Sequence, residues 1–170
     1  MGSTGTDQER DDLLESLGLH RAFLLHTVHG LDDEQAARRT TVSELCLGGV
    51  VKHVAKTESQ WVDFVLQGTG AMAPGPDEQA EHENSFRMLE GDALAGIVSA
   101  YEGVAARTDE LVRTLPDLDV SHELPAAPWF TPGSRRSARR VLIHIIAETA
   151  QHAGHADILR EALDGQKTMG

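Results

Sequence analysis

The stretch VLIHIIAETAQHAGHADILREAL, residues 141–163, sets three histidines and a glutamate among aliphatic residues. In a helix turning about 100° per residue, Val141, His144, Ile145, Glu148, His152, His155, Leu159 and Leu163 fall within roughly 60° of one direction. The aliphatic members of that stripe must face a core, so the ionisable ones face it too. Burying such groups is costly unless they are paired or hold a metal.

Residues four apart on a helix stand one above the other, so Glu148 and His152 can offer a carboxylate oxygen and an imidazole nitrogen to one divalent ion. A third candidate ligand, His53, shares a helical stripe with Val50, Thr57 and Trp61. Three protein ligands with an open position are the plan of a catalytic zinc centre, where the ion activates bound water or a bound thiol. Single residues carry other readings: His53 as a hydrogen-bonded core histidine, Glu148 and His152 as an internal hydrogen-bonded pair. Their joint presence on apolar stripes favours the metal, with zinc the leading candidate and nickel, iron or manganese as alternatives. His144 could pair with Glu148, His155 could orient a ligand or reach substrate, and Trp61 could wall one side of a pocket.

Such a centre needs helices that hold its members together. A first helix is expected from about Asp7 to His29, with Leu13, Leu14, Leu17, Leu24, Leu25 and Val28 at helical spacing and Gly30 ending it. After the short stretch LDDEQAARRTT, Ser43 is a suitable N-cap for a second helix that carries Cys46, Val50, His53, Thr57, Trp61 and Phe64 and closes at Gly68. Residues 68–90, rich in Gly, Pro and acidic residues, read as an exposed crossover with at most a partial helical turn. Asp92 is placed to cap a third helix that carries Leu94, Val98, Tyr101, Ala105, Thr108, Val112 and Leu115 and ends at Pro116. The segment DLDVSHELPAAPWFTPGSRR holds three prolines and reads as a loop in which Trp129 and Phe130 pack. The last helix starts near Ser134 or Ser137 and runs to Leu163, with Gly165 as its stop. No internal repeat and no alternating strand pattern is visible. The expectation is an all-α four-helix bundle with long crossover connections.

At 170 residues and 40% hydrophobic content the chain fits one domain, with residues 1–6 expected to be disordered. The net charge of −12 disfavours nucleic acid as a partner, and no apolar run approaches the roughly 20 residues of a membrane span. The start of the chain lacks a secretory pattern and Cys46 is the lone cysteine, which together suggest a cytoplasmic protein. Twelve arginines against three lysines suggest a GC-rich, bacterial source.

Other residues carry weaker signals. Cys46 lies two turns from His53 and reads as a buried structural residue. Arg135, Arg136, Arg139 and Arg140 crowd the start of the last helix against its dipole. They read first as a solvated basic patch and second as a grip for an anionic substrate or cofactor, with Arg140 the candidate to support a ligand or reach substrate. His20, His26, His29, His82 and His122 read as surface or packing residues, and Glu58 as packing and surface charge.

The elements LGGVVKHVAKTESQW and ETAQHAGHADILRE resemble the DinB-like superfamily, in particular the branch related to mycothiol-dependent maleylpyruvate isomerases and to actinobacterial DinB-like proteins of unassigned function. The resemblance spans most of the chain and is most specific at His152–Asp157. In that branch a histidine on the second helix joins a glutamate and a histidine four apart on the last helix, a pattern that lands on His53, Glu148 and His152. It implies a metal-dependent transferase or isomerase that uses a low-molecular-weight thiol on an electrophilic small molecule. Mycothiol is the implied thiol if the source is actinobacterial, with bacillithiol or glutathione fitting the same chemistry. Relatives often pair, so a homodimer is also implied. Two other functions remain open on the sequence: hydrolysis by metal-activated water, and a noncatalytic metal- or ligand-binding stress protein.

Overall fold

The computed structural model describes residues 4–72 and 78–168. Its elements in order are α1 (Thr4–His26), α2 (Asp33–Ala37), α3 (Leu47–Gln67), a 3-10 turn (Thr69–Met72), α4 (Glu78–Ser85), α5 (Leu94–Thr114), β1 (Ser121–Glu123), β2 (Arg135–Ser137) and α6 (Ala138–Asp164). The four long helices form the expected bundle. α1 packs against α6 and α5, and α3 packs against the same two, so α1 and α3 stand diagonally opposite. Of the expected disordered start, residues 1–3 lie outside the described residues, and residues 4–6 form the first turn of α1. Among the described residues no helix is long and apolar enough to cross a membrane.

Helix ends follow local chemistry in part. Ser137 caps α6 by accepting from the Arg140 backbone N–H at 3.2 Å, and Gly165 stops it in the left-handed region at φ 82°. Gly68 ends α3, its N–H donating to the Phe64 carbonyl. Two expected caps fail. Ser43 bonds instead to Thr41 and to the Leu45 N–H, and α3 begins only after Cys46. The Asp92 carboxylate is taken by Lys52 Nζ at 2.6 Å and the Leu89 N–H at 2.8 Å, so the free Leu94 N–H at the start of α5 is met by Asp33 of α2, at 2.7 Å. The stretch before α3, for which the sequence suggested no element, thus supplies a helix with its own capping box, Asp32 with Gln35.

The crossovers carry more structure than expected. The acidic part of the first contains α4, two turns long rather than a partial one. The proline-rich segment is framed by β1 and β2, an antiparallel pair with His122 opposite Arg136, which corrects the expectation of no strand. Three-residue strands are too short for alternation to register in a sequence.

The apolar core comes in two parts. One gathers Leu13, Leu17, Trp61, Val62, Val112, Val141 and Ile145; the other gathers Leu24, Val28, Val50, Val51, Tyr101, Ala156 and Leu159. Between them each long helix places a buried polar residue: Arg21, Glu58, Thr108 and Thr149. Glu58 is thus no surface charge. It is 1% exposed, pairs with Arg21 across the diagonal of the bundle, and accepts from the Thr108 hydroxyl at 2.6 Å.

Candidate metal centre

His53 comes from the second turn of α3, and Glu148 and His152 from the middle of α6, two helices packed side by side. Glu148 Oε1 stands 3.3 Å from His152 Nε2 and 3.8 Å from His53 Nε2, and the three ligand atoms lie within 4.8 Å of one another. Tetrahedral ligands at ~2.1 Å from an ion are ~3.4 Å apart, so these separations are close to those a shared ion requires. Both histidines are buried and Glu148 is half-buried, which leaves one side of the cluster open.

Hydrogen bonds decide what His53 presents to that point. Ser85 donates its only hydroxyl proton to the His82 carbonyl at 2.6 Å, so its oxygen must accept from His53 Nδ1–H at 2.9 Å. Neutral His53 therefore bears a lone pair on Nε2, the tautomer assigned from the network. Burial lowers the His53 pKa below the ordinary imidazole value, which keeps the ring neutral at pH 7. The adjacent His152 holds the Glu148 carboxyl far below the usual carboxylate range, against the opposing effect of burial. A lone pair thus faces an ionised carboxylate across 3.8 Å, with the Thr57 hydroxyl 3.4 Å from the same nitrogen. Two acceptors facing each other repel unless a cation lies between them. The set of two imidazoles and one carboxylate suits a divalent ion.

The residues that set this tautomer come from the crossover. Gly49 makes it possible: a Cβ there would overlap the Phe86 carbonyl, so only glycine lets the segment after α4 lie on α3. That contact lays the Phe86 ring flat on His53, with centroids 3.8 Å apart at 19°, and brings Ser85 to Nδ1. Removing the hydroxyl with Ser85→Ala is expected to weaken metal binding roughly 10- to 100-fold, the usual cost of losing an outer-shell orienter. Competition with a chromophoric chelator reads it; affinity unchanged in a folded variant would show that the hydrogen bond does not orient the ring.

Beside the three side chains opens a cavity of about 640 Å³, a size ordinary for small-molecule sites. Trp61 walls one side, as expected, and the proline-rich segment from Pro125 to Phe130 lines it as well. Trp129 stands at this wall with most of its surface exposed, while Phe130 packs onto the core. His144 also lines the cavity, its ring edge-on to Trp61 at 5.0 Å, and burial and the nearby Arg136 cation lower its pKa.

Two candidates lie elsewhere. His155 is exposed and outside the cavity, although its ring is 5.4 Å from that of His152. The buried stripe of α6 runs through Val141, Ile145, Thr149, His152, Ala156 and Leu159, which puts position 155 at its edge. Arg140 is exposed as well, its long side chain free to reach solvent from the first turn of α6. The arginine that lines the cavity is Arg136, on β2.

The sequence suggests a surface or packing role for His82. It is exposed, yet it lines the cavity with its ring 5.8 Å from His53. Ser85, Phe86 and Gly49 carried no chemical motif. The one available signal was a pair of glycines, Gly48 and Gly49, at the start of an otherwise good helix, which marks a close approach of other chain. Cys46 is buried and its thiol reaches the Phe86 carbonyl at 3.8 Å, consistent with a structural residue.

Against known proteins, the chain has the fold of a conserved Enterococcus faecalis protein of known crystal structure. The TM-score is 0.61 at 12% identity, over 92% of this chain and 97% of that one. No curated protein matches by sequence. The sequence profile for mycothiol-S-transferase matches residues 12–165, nearly the whole of the bundle, and the all-α DinB-like fold agrees with it. The chain therefore belongs to the mycothiol-S-transferase family.

Proposed function

We propose that the protein is a metal-dependent S-transferase that activates a low-molecular-weight thiol, of the mycothiol type, for attack on an electrophilic small molecule in the cavity. The observation that carries this reading is the lone pair of His53 Nε2 set against the Glu148 carboxylate, with His152 alongside, on the wall of a cavity large enough for a ligand. The family supports the choice of thiol.

In this reading His53, Glu148 and His152 hold a divalent ion, with zinc the best match to two imidazoles and a carboxylate. When bound, the ion would lower the pKa of a thiol at its open position and so supply a thiolate at neutral pH. The protein's own part is placement and exclusion of water. Ser85 and Phe86 fix the His53 ring, Trp61 and Phe130 give the cavity apolar walls, and the proline-rich segment limits access. The half-exposed edge of Glu148 faces the cavity, where the reacting groups meet.

Monochlorobimane tests this directly, because the thiol gives its proton to buffer and the resulting thiolate displaces chloride to form a fluorescent thioether. Zinc-loaded protein with mycothiol is expected to raise the conjugation rate above the uncatalysed one, to lose the gain on chelation, and to recover it on re-addition of zinc. No gain with mycothiol, bacillithiol or glutathione, from protein of full metal content, would refute transfer. Ester or amide hydrolysis by that same preparation would point to the water-activating alternative.

A further inference from the structure

Arg136 lines the cavity apart from the candidate metal ligands. From β2 its guanidinium carbon lies 4.7 Å from the centroid of the Trp61 ring and 5.4 Å from that of Phe130. Aromatic rings hold a cation by their faces but give its N–H groups no acceptor in the plane. Arg136 Nη1 is buried and has no hydrogen-bond partner among the described residues. Its neighbours differ. Arg135 donates to the Ser121 carbonyl at 2.5 Å, Arg139 is held by Glu9 and Asp119, and Arg140 is exposed.

A charged donor that is buried and unpaired costs far more than one that is satisfied. In a chain of net charge −12 with 27 acidic residues, a carboxylate could have been supplied from the protein, as happens for Arg139, Arg21 and Arg107. Arg136 instead lines a cavity. Next along the same wall comes His144, and one turn further Glu148, so the guanidinium and the three candidate metal ligands sit at separate points of a single chamber.

We infer that Arg136 anchors an anion subsite in the cavity and binds a small ligand through a carboxylate or phosphate group, apart from the point where His53, Glu148 and His152 converge. A guanidinium edge matches either group with two parallel N–H···O bonds, and the rings of Trp61 and Phe130 flank it. The inference concerns what the cavity binds and holds whether the reaction is thiol transfer or hydrolysis.

Trp61 and Trp129 are the chain's two tryptophans and both line the cavity, so ligand entry changes intrinsic fluorescence. Full-length, metal-loaded protein is titrated with benzoate, phenyl phosphate and neutral benzamide. At least one anion is expected to bind about tenfold or more tightly than benzamide, the size of effect a charge-assisted pair gives, and the better of the two identifies the group. Arg136→Met keeps an unbranched stem between the rings and should bring that anion to within about threefold of benzamide, with metal content and benzamide binding unchanged. Arg136→Lys, which keeps the charge without the fork, should retain part of the preference. Arg140→Met removes the same charge from outside the cavity and should leave the preference in place. Equal binding of anions and benzamide to the wild type overturns the inference. So does a preference that survives Arg136→Met, which would assign the anion to the metal, or a loss as large in Arg140→Met. Failure of every thiol in the bimane assay leaves this result standing, so the two readings fall separately.

Discussion

Protein carrying Glu148→Ala is expected to leave purification with less than about a tenth of the metal held by the wild type, and His53→Ala and His152→Ala should do the same. Each removes one of the three proposed side-chain ligands, a larger loss than the roughly 10- to 100-fold that an outer-shell partner costs. The effect should be one of binding and not of folding. Glu148 is half-exposed and its alanine variant leaves no buried charge behind. It also removes the acceptor that His53 Nε2 faces, which relieves the repulsion that the ion would otherwise offset. Thermal unfolding in chelator should therefore be similar for wild type and Glu148→Ala, and adding zinc should raise the midpoint of the wild type alone. Elemental analysis of protein purified without an affinity metal column gives the decisive number. Equal metal content in the wild type and all three variants would remove the centre, and with it the reason to regard the chain as a metal-dependent enzyme.

The convergence of those three side chains was legible because it rests on helical periodicity. His53, Glu148 and His152 all occur at core-facing spacing, and two helices of a bundle that pack side by side turn such stripes toward each other. Helix stops at Gly68 and Gly165 were legible for a similarly local reason, the left-handed or extended backbone that glycine tolerates. The failed caps were not local. Ser43 and Asp92 are good capping residues, but their oxygens are spent on nearer partners, and α5 takes its cap from Asp33, sixty-one positions upstream.

What surrounds the site was hidden for the same reason. Ser85, Phe86 and His82 lie in a crossover whose composition says only that it is polar, and their role depends on that crossover folding back onto Gly49. Among the arginines the choice between Arg136 and Arg140 turned on a three-residue strand too short to detect. Arg136 belongs to β2, where neighbouring side chains point to opposite faces, and not to the last helix, on which Arg140 lies. The buried Glu58 was within reach of the sequence. Leu17, Arg21 and Leu24 on α1, and Val54, Glu58 and Val62 on α3, each place a charge of opposite sign at core spacing, a pattern that calls for a partner.

That pair carries the second large expectation: Glu58→Ala should lower stability by about 3–5 kcal/mol, the cost of leaving a buried charge uncompensated. The Arg21 guanidinium would keep Asp109 at 2.7 Å but lose the carboxylate beside it at the centre of the bundle, and the Thr108 hydroxyl would lose its acceptor there. At this chain length each kcal/mol corresponds to ~2–4 °C, so the midpoint should fall by about 10 °C or more. Arg21→Met alone should be as damaging, since it strands Glu58 in the same layer. The double variant Arg21→Met, Glu58→Leu should recover most of the loss, because a well-packed apolar pair of similar volume can match a buried ion pair. All four proteins are compared by denaturant unfolding in chelator, which keeps metal binding out of the comparison. A single variant within about 1 kcal/mol of the wild type would mean that water reaches the polar layer and that surface salt-bridge energetics apply. A double variant no more stable than the singles would show that the ion pair fixes how α1 and α3 meet across the diagonal, a role that apolar side chains, which pack in many registers, do not fill.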